Sequence, residues 1–359
     1  MILILKSPRF LYPEIRKEKD EFTIASRIAL GMWDSIPDQA LLDAAKSGKL
    51  RQPDVVRQQA QRMMNDPRAR AKLHDFFLHW IKLDAEGDLM KNVEHFPGFD
   101  AALVTDLRFS LDMFVSEILW SKESDYRQLM LADYLWMNDR LAQYYQLSKP
   151  QGGGFQQVKV DSTQRCGVIT HPYLLSKLAH EDTTSPIHRG VFLTRYVLGG
   201  ILKQPPEAIA FENHRFDPKL TMREKITEMT KSSNCMTCHE TINPLGFTLE
   251  NFDAVGRYRI EEGGRKIDSH AEYNAIDGDL LPLTGARDVA NLAVTSPSAR
   301  RGFIRQMFQS VVKQNTAVYG SDQLQQLDQF FTSHNYHMCD LFVEINARIS
   351  LFKINPTAP

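Results

Sequence analysis

Residues 234–259 read NCMTCHETINPLGFTLENFDAVGRYR. The core, Cys235-Met236-Thr237-Cys238-His239, has the C-x-x-C-H spacing of covalent c-type haem attachment. Two cysteines three apart on one helical turn face the same way, so each thiol can form a thioether with a haem vinyl group. His239 follows where its imidazole can serve as the proximal iron ligand. Two other chemistries also use C-x-x-C. A structural zinc site needs four ligands, usually from a second clustered pair, whereas Cys166 and Cys339 lie far apart in the sequence and each stands alone. A thioredoxin-type dithiol belongs between a strand and a helix of a βαβ unit, but residues 221–231 read as helical with no parallel-sheet pattern around them. The expectation is one covalently attached haem c, with Cys235 and Cys238 as anchors and His239 as proximal ligand.

The residues that follow suit the same group. Pro244, Leu245, Gly246 and Phe247 are expected to turn the chain against the porphyrin, and Leu249 and Phe252 to cover its apolar edge. Arg257 and Arg259, with Tyr258 between them, have the donors that pair with haem propionates, the alternative being a solvated strand or loop. Glu250 and Asp253 read as carboxylate partners of those arginines ahead of general acids. For the second axial position, His180 is the favoured candidate: it ends an apolar helix and precedes the polar turn Glu181-Asp182-Thr183-Thr184. The alternative for His180 is a helix C-terminal histidine favoured by the dipole there. His270 is the runner-up. His74 and His79 read as helix-face or core histidines, His334 and His337 as loop and cap residues. Met222 and Met229 reach the iron only if the chain folds back, and Met236 sits inside the attachment loop.

Outward from the motif the signals are helical almost without a break. Residues 21–33 place Phe22, Ala25, Ile28, Ala29 and Met32 at three-and-four spacing, which makes one apolar face. Ser35, Pro37 and Asp38 read as the cap and first turn of a helix stopped by Gly48. Pro53 and Pro67 open two more, residues 99–120 form a long one, and shorter helices are expected around Leu135, Trp136 and Leu141. Pro150 and Gly152-Gly153-Gly154 mark a loop or boundary. Residues 158–160 and 168–170 are the best candidates for a short β pair. Helices resume over 171–180 and 185–199, and Pro205-Pro206 break into a loop. Thr221-Met222-Arg223-Glu224 then shows a capping-box pattern that starts the helix delivering the motif. Gly263-Gly264 and Asp277-Gly278-Asp279 suggest a hairpin or irregular loops, and four helical runs close the chain. The fold class is mainly α: helical bundle-like domains with a short irregular or β-hairpin segment around and after the motif. The expected domains are residues 1–148, a haem-binding segment over 158–262, and 263–359.

With 359 residues the chain can build two or three cores. A formal charge of −1 argues against a nucleic-acid footprint. The four cysteines are too few for a disulfide framework, so Cys166 and Cys339 read as buried free thiols, with one bridge between them as the alternative. No stretch is long and apolar enough to span a membrane. Met1-Ile2-Leu3-Ile4-Leu5 stops at Lys6 without the features of an export signal. Haem attachment normally follows export, so the chain is expected to be a fragment, or the mature product, of a longer exported precursor.

The stretch from Cys235 resembles the signature C-x-x-C-H-x-x-I-x-P-L-G-F-x-L-E-N-F-D-x-x-G-R of the large planctomycete-type cytochrome c proteins. The resemblance extends over nearly the whole chain. Ser7-Pro8-Arg9-Phe10-Leu11-Tyr12, Ala25-Ser26-Arg27, Ile36-Pro37-Asp38, Asp66-Pro67-Arg68-Ala69-Arg70, Ala132-Asp133-Tyr134 with Asn138 and Leu141, Thr184-Ser185-Pro186 with Arg189-Gly190, and Ile267-Asp268 fall in that family's order. The resemblance implies a helical block, the haem-motif segment and a short helical C-terminal domain. It also implies an export signal and often a further cytochrome c-like domain upstream. Some members place a histidine where His180 stands, four residues before Thr184. Cys166-Gly167, where the family has a Gly-Gly or similar pair, and the residues around Ile267-Asp268 depart from the pattern.

The expected function is an extracytoplasmic monohaem c-type cytochrome subunit passing single electrons within a larger redox complex, with a redox protein or other subunits as partners. One alternative is a c-haem enzyme, peroxidase-like or acting on an organic substrate, with an open distal site. The other is a zinc-stabilised helical interaction module.

Overall fold

Asp20 opens the first helix, its carboxylate accepting the Thr23 N–H at 2.7 Å, and Asp38, Ser185 and Thr221 cap later helices in a comparable way. A computed structural model describes residues 20–81, 89–202, 216–217 and 219–352. The 1–5 and 7–12 segments and the Pro205-Pro206 break lie outside the described residues. The fold is mainly α: 57% of it is helical, and the strands form only small two-stranded sheets.

In chain order the helices and strands begin with α1 (Glu21–Trp33), α2 (Gln39–Lys46), α3 (Pro53–Met64) and α4 (Pro67–Trp80). Then come α5 (Ala101–Trp120), α6 (Tyr126–Leu131), β1 (Tyr134–Met137), α7 (Asp139–Tyr144) and β2 (Gln156–Lys159). A 3₁₀ turn (Val168–Thr170) precedes α8 (Pro172–Lys177) and α9 (Pro186–Phe192), which runs into a π turn (Leu193–Val197). Next are α10 (Met222–Met229), α11 (Ser233–Phe247) and the strands β3 (Glu261–Glu262), β4 (Arg265–Lys266), β5 (His270–Asn274) and β6 (Leu280–Thr284). The chain closes with α12 (Ala286–Thr295), α13 (Pro297–Val312), α14 (Gln323–Ser333) and α15 (Met338–Leu351).

Contacts group the described residues into two units. The first comprises residues up to 75, 307–327 and those from 339 onward. Ile28, Met32, Leu41, Val56, Met63, Phe342 and Ile345 are fully buried in it. The Trp33 indole N–H donates to the Met63 carbonyl at 3.0 Å, and the Arg68 guanidinium lies 3.7 Å from the Trp33 ring centroid. Glu344, almost fully buried, takes Arg57 Nε at 2.8 Å and Arg348 Nε at 2.6 Å. Asp38, not Ser35, caps α2, through the Leu41 N–H.

The second unit holds residues 76–306 and 328–338. Phe303 is its aromatic hub, with ring centroids at 4.5 Å to Tyr126, 5.5 Å to Trp80 and 6.0 Å to Phe331. Two expectations fail here. Residues 134–137 form a strand, paired antiparallel with β2 from Tyr134↔Lys159 to Met137↔Gln156. Leu135 and Met137 point into the core, and the Trp136 indole N–H reaches Glu117 Oε2 at 2.8 Å. Residues 168–170, expected to pair with 158–160, instead make a 3₁₀ turn. The Thr170 hydroxyl accepts the Cys166 N–H at 2.9 Å and donates to the Cys166 carbonyl at 3.0 Å, so a local loop replaces a ladder. Gly167 enters this turn at φ 48° with its Cα against the Met130 carbonyl, where a Cβ would come within 2.3 Å.

The Gly263-Gly264 expectation holds. Both residues have positive φ, 57° and 77°, the requirement of a tight two-residue hairpin, and β3 pairs with β4 across them. The β5–β6 hairpin runs from His270↔Thr284 to Asn274↔Leu280 and turns Ala271, Tyr273 and Leu283 inward.

Candidate functional site

The helix carrying the motif is delivered by α10. Thr221 and Glu224 form the expected capping box: Glu224 Oε2 accepts the Thr221 N–H at 2.8 Å, and Thr221 Oγ1 accepts the Glu224 N–H at 3.4 Å. Arg265 clamps the same carboxylate with two donors at 2.6 and 2.7 Å. The Ser232 hydroxyl then caps α11, accepting the Cys235 N–H at 3.4 Å. On the first turns of α11, Cys235 and Cys238 are free, half-buried thiols, and Met236 and Thr237 are exposed. His239 follows on the next turn, half-buried, with Nδ1 2.9 Å from Asn243 Oδ1. Asn243 Nδ2 in turn donates to Thr230 Oγ1 at 2.8 Å.

These residues fit a c-type haem in kind: two unpaired thiols one turn apart, then an imidazole already held at one nitrogen, as metal-binding histidines are. Cys166 is a different sort of thiol, buried, with burial pushing its pKa up to about 12. Among the described residues no cluster of three or more His, Cys, Asp and Glu side chains is arranged to hold a metal ion, so the zinc alternative has no four-donor set there.

Past His239 the structure departs from expectation. Residues 244–247 do not turn; they continue α11 through Pro244 to Phe247. The reason is a close crossing of α9. A Cβ on Gly246 would lie 2.0 Å from the Pro186 carbonyl oxygen, and one on Gly190 2.0 Å from that of Ile242. Glycine at both positions lets the two backbones touch. Leu245, Phe247 and Phe252 are buried, Phe247 in a cluster with Met222 and Ile226, and Pro244 is half-buried.

Two buried cations hold the loop beyond α11: Arg165, whose Nη2 donates to the Gly256 carbonyl at 2.6 Å, and Arg189. Arg189, fully buried, donates through Nη1 to the carbonyls of Leu249 and Phe252, each at 2.8 Å, and to Glu250 Oε1 at 3.2 Å. Its Nη2 donates to the Asp253 carbonyl at 2.8 Å. The other Glu250 oxygen accepts the Thr184 hydroxyl at 2.8 Å. Burial pushes the Glu250 carboxyl up, with Arg189, Arg259 and Thr184 opposing. Arg257 Nε lies 2.8 Å from Asp253 Oδ2, with its guanidinium 5.6 Å from the Phe96 and Tyr144 ring centroids. Arg259 faces Glu250 at 3.6 Å and Glu262 at 3.9 Å. The pairing of Glu250 and Asp253 with these arginines is the one the sequence favoured.

The His180 ring lies 5.2 Å from that of His188, and its carbonyl accepts from Lys91 Nζ at 2.5 Å. His270 sits exposed at the head of β5, 3.3 Å from Thr284 Oγ1. His171 went unremarked in the sequence. It is fully buried, its Nδ1 accepting the Tyr173 N–H at 3.3 Å and its Nε2 3.1 Å from the Ser110 hydroxyl, and burial lowers its pKa to about 3. Asn243 and Arg189 were also missed as site residues. The signals available were a polar residue four after a histidine on one helix, and the Arg-Gly following Thr184-Ser185-Pro186. A cleft of about 520 Å³ opens beside α10, walled by Thr227, Glu228, Lys231, Lys266 and Asp268 among others. None of Cys235, Cys238 and His239 lines it.

Residues 20–147 match the family model PSD4, protein of unknown function (DUF1592), and residues 165–262 match PSCyt3, protein of unknown function (DUF1588). Both are planctomycete cytochrome c-associated domain families. The PSCyt3 match contains α8 to α11, the motif, Arg189 and the loop it organises, whereas the PSD4 match covers α1 to α7. No curated protein and no solved structure matches the chain.

Proposed function

We propose that the chain is a monohaem c-type cytochrome subunit that passes single electrons within a larger redox complex outside the cytoplasm. The observation that carries this is the first half of α11: two free, accessible thiols one turn apart, followed by a histidine held at Nδ1. A bound haem supplies a one-electron iron couple. Cys235 and Cys238 would anchor it, His239 would present Nε2 to it, and His180 is the residue proposed as a second iron ligand. The match to PSCyt3 over this segment supports the same assignment. One attachment motif sits in far more protein than a simple carrier needs, which favours docking to a redox partner or further subunits. Covalent attachment normally follows export, hence the extracytoplasmic placement.

Expression with cytochrome c maturation machinery tests this by intact mass and visible spectrum. The expected result is one covalent haem, lost in the Cys235→Ser/Cys238→Ser double variant, with a low-spin spectrum indifferent to carbon monoxide and peroxide. Protein without haem mass would sink the proposal and revive the zinc-stabilised module. A spectrum that responds to carbon monoxide or peroxide would favour the open-site enzyme. His180→Ala is expected to abolish the low-spin signature, and an unchanged spectrum removes His180 from the axial position.

A further inference from the structure

We propose that Asn243, locked by Thr230, is the positioning residue that fixes the tautomer and ring orientation of His239, so that in the neutral ring Nε2 is the bare nitrogen. The proposal rests on the haem assignment above only for its use, since the hydrogen-bond chain exists in the protein itself. The Thr230 hydroxyl donates its one proton to the Ile226 carbonyl at 2.8 Å, so toward Asn243 it has only lone pairs to offer. Asn243 must therefore turn its NH₂ group to Thr230, where Nδ2 sits at 2.8 Å, and its carbonyl oxygen to His239, where Oδ1 lies 2.9 Å from Nδ1. A carbonyl oxygen accepts and cannot donate. In the neutral ring the proton consequently resides on Nδ1 and the lone pair on Nε2.

Water cannot easily undo this order. Asn243 is 6% exposed and Thr230 2%, so an amide flip would bury two mismatched pairs without compensation. The chain also ties the end of α10 to the middle of α11, spanning the turn that leads into the two cysteines. Asn243 offers a neutral acceptor, which orients the imidazole without pulling it toward imidazolate; a carboxylate in its place would make the ring a stronger donor to iron.

Two measurements test the assignment separately from haem binding. In ¹⁵N-labelled haem-free protein at a pH above the imidazole range, long-range ¹H–¹⁵N correlation is expected to show His239 with a protonated Nδ1 and a bare Nε2. Thr230→Val, nearly isosteric and so the gentler variant, is expected to give a mixture of tautomers, as is Asn243→Leu. A bare Nδ1 in the wild type, or an unchanged pattern in both variants, overturns the proposal. In haem-loaded protein, Asn243→Asp is expected to shift the midpoint potential negative and Asn243→Leu to shift it positive. Equal potentials in all three proteins would also overturn it. Wild-type protein that shows the expected tautomer yet takes up no haem would refute the functional assignment and leave the positioning role intact.

Discussion

Arg189→Leu is expected to cost roughly 3–5 kcal/mol of folding stability, the usual penalty for stranding one member of a buried ion pair. The substitution strips donors from three carbonyls and from Glu250 at once, at a side chain that is itself 0% exposed. Lysine should not rescue the loss, because an ammonium is a point donor and cannot span acceptors arrayed around a planar fork. Thermal or urea unfolding measures the effect; a loss below about 1 kcal/mol would mean that the loop satisfies its carbonyls another way. The pH dependence carries a sign. Burial raises the Glu250 carboxyl above its ordinary 4.5, so between that value and the raised one the folded state binds more protons than the unfolded. Stability therefore falls as pH rises through that window. Removing Arg189 deletes a cation that opposes the rise and extends the window upward. The deficit of the variant relative to wild type should be full above the variant's own, still higher value and should shrink as pH falls from there toward 4.5.

The second large effect is expected at the α9–α11 crossing. In Gly190→Ala the new methyl group would meet the Ile242 carbonyl oxygen at 2.0 Å and its carbon at 2.9 Å, and in Gly246→Ala the Pro186 carbonyl oxygen at 2.0 Å. Both obstacles are backbone, so one helix has to move. Overpacking of this kind costs about 1–3 kcal/mol or more, against at most ~1 kcal/mol gained from replacing glycine within a helix. The two losses should not add, since one displacement of α9 from α11 relieves both contacts. The double variant is expected to melt close to the worse single one, and a melting temperature at or above wild type in either single variant would contradict the close crossing.

Most helices were legible because their start signals are local. Thr221 with Glu224, the prolines at 53, 67 and 186, and the paired glycines at 263 and 264 each act within a few residues of themselves. What stayed hidden depends on partners far along the chain. Tyr134–Met137 is a short apolar run equally compatible with helix or strand, and its identity is decided by β2. The Arg57–Glu344 pair joins residues 287 positions apart. Arg189 reads as a surface cation in sequence, because arginine is seldom fully buried, and only the convergence of four acceptors explains where it lies. The C-x-x-C-H spacing itself was plain, whereas the continuation of α11 through Pro244 was not. Gly246 suggested a turn, and its actual role, letting another helix approach, needs the other helix in view.

The two halves of α11 also bear on the order of assembly. Its C-terminal half, from Ile242 to Phe247, is locked into the protein by Gly246 and the buried Leu245 and Phe247, while Cys235 and Cys238 project from a half that contributes no side chain to the core. Haem attachment as proposed would act on a stretch of the helix that the core does not use, so a chain that has lost both thiols should still fold.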